Sequence, residues 1–211
     1  MSIYEEISSA LQQGRKPKVE ELVQQAIDEG LSPKTILEEG LLSGMAIIGE
    51  KFKNNEVFVP EVLIAARAMN AGVGILKPHM TAADIVNRGK VVIGTVKGDL
   101  HDIGKNLVKL MMEGRGLTVI DLGVDISAEK FVTAAIDNEA DIICCSALLT
   151  TTMNEMKEVV ELAKQKGVRE KIKIMVGGAP ITHNFCESIG ADRYEVDAAS
   201  AADAALELCR A

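Results

Sequence analysis

The chain has 211 residues, of which 47% are hydrophobic and 26% charged, a composition that suits one large or two small globular domains and disfavours disorder. A formal net charge of −8 and an aromatic content of 3% without tryptophan provide neither a basic surface nor a stacking platform, so a nucleic-acid partner is disfavoured. No run approaches the roughly 18 consecutive apolar residues of a membrane-spanning helix, and the acidic N-terminus lacks the pattern of a signal peptide. We therefore expect a cytoplasmic protein without a membrane partner.

The first part of the chain predicts four helices joined by short turns. Apolar residues recur at helical spacing over four segments, residues 3–11, 19–27, 36–52 and 62–76. Ser32 and Pro33 predict the start of the third helix, as an N-cap and a first-position proline. Gly40 and Gly44 lie four residues apart on that helix, where each costs about 1 kcal/mol relative to alanine. Because that cost needs compensation, they predict close approach of a neighbouring helix in an antiparallel bundle.

From Lys90 onward, short apolar runs alternate with helical segments. The predicted strands are residues 90–96, 117–122, 141–146, 171–176 and a weak one at 193–196, and the predicted helices are residues 103–113, 127–138, 153–166, 182–189 and 198–209. Five such units predict an α/β domain with a Rossmann-like, flavodoxin-type parallel sheet in the order 2-1-3-4-5. The chain is thus predicted to have a helical domain at 1–88 and a sheet domain at 89–211.

The predicted sheet also locates a ligand site. Ligands of such sheets bind beyond the C-terminal ends of the strands, beside the point where the strand order reverses. The loops to inspect follow strands one, three and four, at residues 97–104, 146–152 and 177–180. All three are rich in glycine, small or polar residues.

His101 lies in the first of these loops, with Asp99 before it and Asp102 after it. One nitrogen of such a histidine can bind a metal while the other donates to a carboxylate, which fixes the tautomer. Apart from His183 on a later helix, no second histidine or cysteine accompanies these loops. A single protein ligand indicates a metal that a macrocycle already holds.

The loops carry a spaced set of residues that resembles a known signature. The set is Asp99-x-His101-x-x-Gly104, Ser146-x-Leu148 and Gly177-Gly178. It is similar to the signature of the cobalamin-binding domain shared by methionine synthase, the adenosylcobalamin mutases and the small corrinoid proteins of methyltransferase systems. The gaps also match, with residues 105–145 giving 41 positions and residues 149–176 giving 28.

The resemblance implies a role for each matching residue. His101 would replace the benzimidazole of the cofactor as the lower ligand of cobalt. Asp99 would bond its other nitrogen, and Thr152, where the methionine synthase type has serine, would complete a proton-linked relay. Ser146 and Thr150 would contact the nucleotide tail. The full set implied to contact the cofactor in this domain is Gly98, Asp99, Leu100, His101, Asp102, Ile103, Gly104, Ser146, Leu148, Thr150, Gly177, Gly178 and Ala179.

The helical part resembles the four-helix cap of the same proteins, most clearly over Gly40–Met69. In that family the cap covers the upper face of cobalt and moves aside for methyl transfer. Phe58, Val62 and Met69 are the candidates for that face, although their spacing also fits packing inside the bundle. A hinge would lie near Asp84–Gly89.

The implied function is a methyl carrier, which accepts a methyl group on Co(I) and passes it on from methyl-Co(III). The implied partners are a donor-specific methyltransferase of the barrel type, a second methyltransferase with a folate or thiol acceptor, and a reductive activation protein. The chain would have little turnover alone, and methanol, methylamines, betaine and methoxyarenes all remain open as donors.

Three alternative functions explain less of the sequence than a methyl carrier does. The cobalamin subunit of an adenosylcobalamin-dependent mutase resembles the second half of the chain alone and leaves the cap unexplained. A cobalamin-sensing transcription regulator would need a DNA-binding module, for which the sequence offers no third domain or basic patch. A signalling domain with Asp99 as phosphoacceptor would explain neither the cap nor the spaced residues.

Overall fold

A computed structural model of the chain describes residues 2–80 and 88–210. The chain forms two compact units, one built from the N-terminal helices and one from the sheet. The first unit contains α1 (Ile3–Gln12), α2 (Lys16–Asp28), α3 and α4 (Val59–Leu76), and a 3₁₀ turn (Lys77–His79) follows α4. Helix α3 consists of a first turn (Pro33–Thr35), a π-helical segment (Ile36–Leu42) and an α-helical segment (Ser43–Lys53). The predicted hinge at Asp84–Gly89 lies largely outside the described residues, and the boundary at 88/89 stays a prediction.

Helix α3 begins where the sequence predicts, but only one of the two predicted start signals, the first-position proline, acts as expected. Ser32 occupies the N-cap position before Pro33, yet its side chain makes no capping hydrogen bond. The π-helical segment was not predicted either, since the apolar spacing does not reveal one extra residue in a turn. By contrast, α1 has a full capping box, in which Ser2 and Glu5 exchange side-chain and backbone hydrogen bonds.

The close approach predicted from Gly40 and Gly44 is confirmed. A Cβ atom built on Gly40 would lie 3.1 Å from the Ile7 side chain, and one on Gly44 would lie 3.1 Å from the Ser8 backbone. Larger residues at either position would therefore push α1 away from α3. The two glycines lose helix propensity and gain helix packing in return.

Helix α4 is the most apolar element of the bundle. Together with the turn after it, over Val59–His79, it is long and apolar enough by length and composition to cross a membrane. Length and composition alone are weak evidence for a membrane span, because the buried core helix of a soluble protein meets the same criteria. Seven of its residues are buried: Val62, Ala65, Ala66, Ala68, Met69, Gly72 and Leu76. Its apolar character is thus typical of a helix at the centre of a bundle.

The second unit is a five-stranded parallel sheet in the order β2-β1-β3-β4-β5, as predicted. Its strands are β1 (Lys90–Thr95), β2 (Thr118–Asp121), β3 (Ile142–Ser146), β4 (Lys173–Gly177) and β5 (Arg193–Tyr194). Its helices are α5 (Ile103–Gly114), α6 (Ala128–Asp137), α7 (Asn154–Gln165), α8 (His183–Ile189) and α9 (Ala198–Leu208). In the register, Thr95 pairs with Ser146 and Ser146 with Gly177, so strands β1, β3 and β4 end level with one another.

The interior of the sheet is apolar, with Val92, Ile143 and Ile174 buried in a cluster that includes Phe131 of α6. Gly94 allows this packing, because a Cβ atom on it would lie 2.9 Å from the Phe131 ring. Branched aliphatic side chains on parallel strands that helices cover are typical of such a buried sheet.

Candidate functional site at the C-terminal edge of the sheet

The level ends of β1 and β3 bring two of the predicted loops together around Asp99. One carboxylate oxygen of Asp99, Oδ2, accepts hydrogen bonds from the backbone N–H groups of Leu148 at 2.8 Å and Leu149 at 3.1 Å. The Oγ1 of Thr152 lies 3.1 Å from the same oxygen. Asp99 therefore joins the loop after β1 to the loop after β3.

Asp99 is fully buried and is surrounded by donors. Burial raises the pKa of its carboxyl group, but hydrogen bonds from His101, Leu148 and Leu149 outweigh burial, and the net pKa lies well below the ordinary value. The carboxylate is therefore ionised at neutral pH. An ionised carboxylate accepts hydrogen bonds and donates none.

His101 is oriented by the other oxygen of that carboxylate. The Oδ1 of Asp99 lies 2.8 Å from Nδ1 of His101 and also accepts from the His101 backbone N–H at 3.0 Å. Since Asp99 can only accept, Nδ1 carries a proton, and in the neutral imidazole the lone pair is therefore on Nε2. Nε2 has no hydrogen-bond partner within residues 2–80 and 88–210, and 52% of the His101 side chain is exposed. The structure thus presents an oriented imidazole with one free basic nitrogen.

Thr152, His101 and Asp99, which the sequence groups as a relay, do lie together. The hydroxyl of Thr152 has a second acceptor, the carbonyl oxygen of Leu149 at 2.9 Å. Because a hydroxyl has one proton, Thr152 can donate to Asp99 or to Leu149 but not to both at once. The geometry therefore links Thr152 to His101 through Asp99.

Two residues that the sequence did not single out also hold this loop. Thr95, the last residue of β1, is fully buried and donates its hydroxyl to the carbonyl oxygen of His101 at 2.9 Å. Asp125, in the loop after β2, accepts from the backbone N–H of Gly98 at 2.7 Å. A polar residue ending the apolar run of β1 was a signal for Thr95, whereas no local pattern indicates Asp125.

The glycine residues of the site differ in what a side chain at each position would contact. Cβ atoms built on Gly104 and Gly177 would meet nothing within 4 Å, so open space lies beside both. Gly178 has φ +131°, and a Cβ atom there would collide with the carbonyl oxygen of Ala147. The sequence assigned both Gly177 and Gly178 to cofactor approach. The structure adds that Gly178 is required by the protein itself.

The edge of the sheet also exposes apolar side chains around His101. Leu100 is 71% exposed, Ile103 78% and Leu148 44%. Asp102, Thr150 and Ala179 are exposed as well, and Ser146 is half-buried. Clustered exposed aliphatic groups are typical of a surface that a ligand or partner covers. Together with the open space at Gly104 and Gly177 and the free Nε2, they fit a large ring-shaped cofactor with a metal at its centre.

The three bundle residues assigned to the upper face of cobalt differ in exposure. Phe58 is 63% exposed, whereas Val62 and Met69 are buried at 0% and 2%. The backbone N–H of Phe58 donates to the Glu61 side chain at 3.0 Å, which fixes the start of α4. Burial of Val62 and Met69 favours the packing role that their spacing also allowed. The assignment of all three to cobalt stays a prediction.

Both halves of the chain match family models for a B12 binding domain. One model matches residues 89–206 and a second matches residues 3–77. The chain is 43% identical over 211 residues to a corrinoid protein of Desulfitobacterium hafniense, covering 99% of this chain and 96% of that protein. It is 42% identical over 207 residues to dimethylamine corrinoid protein 2 of Methanosarcina acetivorans, covering 98% and 95%.

Solved structures agree with these relatives. The methanol:cobalamin methyltransferase complex of Methanosarcina barkeri matches with a TM-score of 0.90 and 30% identity, covering 99% of this chain and 80% of that chain. A cobalamin-binding protein of Desulfitobacterium hafniense matches with a TM-score of 0.81 and 28% identity, covering 98% of both chains. The fold and site thus define a two-domain B12-binding protein. More particularly, the chain belongs to the corrinoid proteins of methyltransferase systems, its cofactor is cobalamin, and it is a methyl carrier and not a mutase subunit.

Proposed function

We propose that His101 would hold the cobalt of cobalamin through Nε2, and that the chain thereby carries a methyl group between two methyltransferases. The observation that carries this proposal is the hydrogen bonding of the two nitrogens of the His101 ring. Its Nδ1 is bonded to a buried, ionised carboxylate at 2.8 Å, while Nε2 is free of partners among the described residues. A carboxylate bonded to the other nitrogen raises the basicity of a ligating histidine.

Bound cobalamin supplies a cobalt centre that takes up and releases the methyl group. The part of this chain would be to hold that cofactor and to orient His101 toward it. Asp99 keeps Nδ1 protonated and aimed, and Thr152 bonds the far oxygen of Asp99. We assign the apolar groups of Leu100, Ile103 and Leu148 to the face of the corrin ring.

The remaining assigned residues have roles around that centre. We propose that Gly98, Asp102 and Gly104 border the ring, and that Ser146, Thr150, Gly177, Gly178 and Ala179 border the nucleotide tail. Gly177 supports this assignment, because a Cβ atom there would point into open space. Phe58, Val62 and Met69 are proposed for the upper face, with Phe58 favoured by its exposure.

A methyl carrier needs partner proteins that deliver the methyl group and remove it. A methyltransferase is one partner, as in the methanol:cobalamin methyltransferase complex of Methanosarcina barkeri. We propose that this enzyme is a barrel-type protein that recognises the donor, since relatives named for dimethylamine and trimethylamine resemble this chain to a similar degree. A second methyltransferase with a folate or thiol acceptor, a reductive activation protein and a cytoplasmic location complete the proposal.

The proposal is tested by anaerobic reconstitution with hydroxocobalamin and visible spectroscopy. We expect the wild-type spectrum to show histidine on cobalt and benzimidazole off it, and His101→Ala to lose the histidine-bound state. His183→Ala is the matched control, because His183 is 72% exposed on α8 and pairs with Glu187. Unchanged coordination and unchanged cobalamin affinity in His101→Ala would show that another group holds the cobalt.

A further inference from the structure

The loop after β2 lies directly against the loop that carries His101. Thr95 donates its N–H to the Gly123 carbonyl at 3.0 Å, and Ile126 donates to the Thr95 carbonyl at 3.0 Å. These bonds extend the sheet register past the end of β2, and Val96 and Ile126 form an isolated parallel bridge. Asp125 is thereby brought beside the start of the His101 loop.

Asp125 contacts that loop through both its backbone and its side chain. Its Oδ1 accepts from the Gly98 N–H at 2.7 Å, and its own N–H donates to the Asp99 carbonyl at 3.1 Å. Gly98 has φ +79° and Asp99 is fully buried. Asp125 therefore fixes the two residues that set the direction of the Asp99 carboxylate, and through that carboxylate the ring of His101.

The backbone of Asp125 is held in an uncommon conformation. Its φ is +56°, one of three positive φ values among the described non-glycine residues. Such a conformation is unfavourable for an L-residue, and aspartate and asparagine tolerate it better than most. Its side chain is exposed, so Asp125 adds no packing to the core. The conformation is instead offset by hydrogen bonds to the His101 loop.

We propose that Asp125 is a positioning residue for the cobalt ligand, acting through Gly98 and Asp99 and not by touching the cofactor. The inference rests on the proposed role of His101 and deepens it. Asp125 pre-sets the imidazole before cobalamin arrives, which reduces the ordering that binding must supply. Loss of its side chain leaves the Gly98 N–H without its acceptor and lets the loop relax.

Three variants separate the side chain from the backbone. Asp125→Asn keeps an oxygen acceptor and tolerates a positive φ, so it should behave as wild type. Asp125→Gly relieves the backbone but removes the acceptor. Glu139→Gly is the matched control, because Glu139 also has a positive φ, of +50°, and is exposed at the end of α6. It relieves a similar conformation away from the site.

The first measurement uses the full chain without cobalamin. In Asp125→Gly we expect hydrogen exchange of the Gly98 amide to accelerate by about two- to tenfold, the loss of one ordinary hydrogen bond. Amides of β1, β3 and β4 should keep their protection, as they should in Glu139→Gly. Unchanged exchange at Gly98, or an equal loss of protection across the sheet, overturns the proposal, the second outcome because Asp125 would then serve the fold alone.

The second measurement adds hydroxocobalamin and follows the visible spectrum. Asp125→Gly should bind it about two- to tenfold more weakly, with a smaller histidine-bound fraction, while Asp125→Asn restores both. If His101→Ala loses the histidine-bound state and Asp125→Gly does not differ from wild type, the positioning role alone is wrong. If His101→Ala keeps that state, the proposed ligand is wrong, and the exchange data still report whether Asp125 holds the loop.

Discussion

The bundle and the sheet domain bury different kinds of side chain. Within residues 2–80, Ser8 is the one buried polar side chain, and the rest of the buried side chains of the bundle are apolar or glycine. Within residues 88–210, the buried polar side chains are those of Thr95, Asp99, Lys105, Arg115 and Thr152. Residues 2–80 are therefore held by apolar packing, whereas the sheet domain adds buried hydrogen-bonding groups, among them Thr95 at the end of β1 and Asp99 and Thr152 in the loops after β1 and β3.

Because of this difference, we expect substitutions in the bundle to affect the stability of the fold, and substitutions at the sheet edge to affect the geometry of the site as well. In the bundle, a truncated side chain leaves a cavity and costs free energy in proportion to its size. At the edge of the sheet, five donor groups contact the Asp99 carboxylate. Loss of any of these hydrogen bonds should change the orientation of the Asp99 carboxylate as well as the free energy of unfolding. Variants of the bundle should act on stability, and variants of the edge should act on cobalt coordination as well.

The largest effect is expected from the bundle. Leu41→Ala removes a side chain that is fully buried in the π-helical segment of α3. We expect the free energy of unfolding of the bundle to fall by about 4 kcal/mol, the cost of a cavity that closes poorly. Urea unfolding followed by far-UV circular dichroism measures it, with Leu63→Ala as the control, because Leu63 is 44% exposed.

Cobalt coordination in Leu41→Ala tests whether bundle packing also affects the site at the sheet edge. The histidine-bound spectrum of Leu41→Ala should equal that of the wild type under conditions where both are folded. A changed spectrum would mean that bundle packing also sets the position of His101, and the proposed separation would be wrong.

A smaller effect is expected at the end of β2, where Lys105 and Asp121 pair. The ammonium group of Lys105 is 2.7 Å from Oδ1 of Asp121, with side-chain exposures of 2% and 21%. Burial raises the pKa of the Asp121 carboxyl, but the Lys105 and Gly123 hydrogen bonds outweigh it and the net pKa is lowered. Asp121→Asn should cost about 3 kcal/mol at pH 6, because it leaves a buried ammonium without its carboxylate.

The sign of the pH dependence follows from that lowered pKa. The carboxylate stabilises the fold fully above its unfolded pKa of about 3.9, and the contribution disappears as the pH falls through the lower folded value. The difference between wild type and Asp121→Asn should therefore shrink below about pH 4. Urea unfolding at pH 6 and pH 3.5 checks this, with exposed Asp137→Asn as control. A constant difference would show that Asp121 is not the titrating group.

The sequence predicts what depends on local periodicity. The four bundle helices and the five strands are confirmed, and each was predicted from a repeat of apolar residues or from turn residues within a short window. The sheet order is also confirmed, but it was predicted from the order common to this class of parallel sheet. The His101–Asp99–Thr152 cluster was found through a resemblance in spacing, and the register of β1 with β3 explains why the spacing brings these residues together. Their assigned roles remain predictions.

What the sequence missed depends on contacts across loops. Ser32 has the right identity for a capping bond, but its side chain does not make one. Asp125 lies 27 residues from Gly98 along the chain, and the two meet only because β2 lies beside β1. The collision that excludes a side chain at Gly178 involves the loop after β3. No periodic pattern encodes these contacts.

The smallest expected effect separates two adjacent glycines. Gly178→Ala places a methyl group against the Ala147 carbonyl at φ +131°, and should cost about 2 kcal/mol in urea unfolding without cobalamin. Gly177→Ala places its methyl group in open space and should change the free energy of unfolding by less than about 0.5 kcal/mol. If that space receives the nucleotide tail, Gly177→Ala should nevertheless weaken cobalamin binding, measured by titration with hydroxocobalamin. Equal binding in Gly177→Ala and wild type would place the tail elsewhere, and an equal loss of stability in both variants would mean that the two glycines serve one structural purpose.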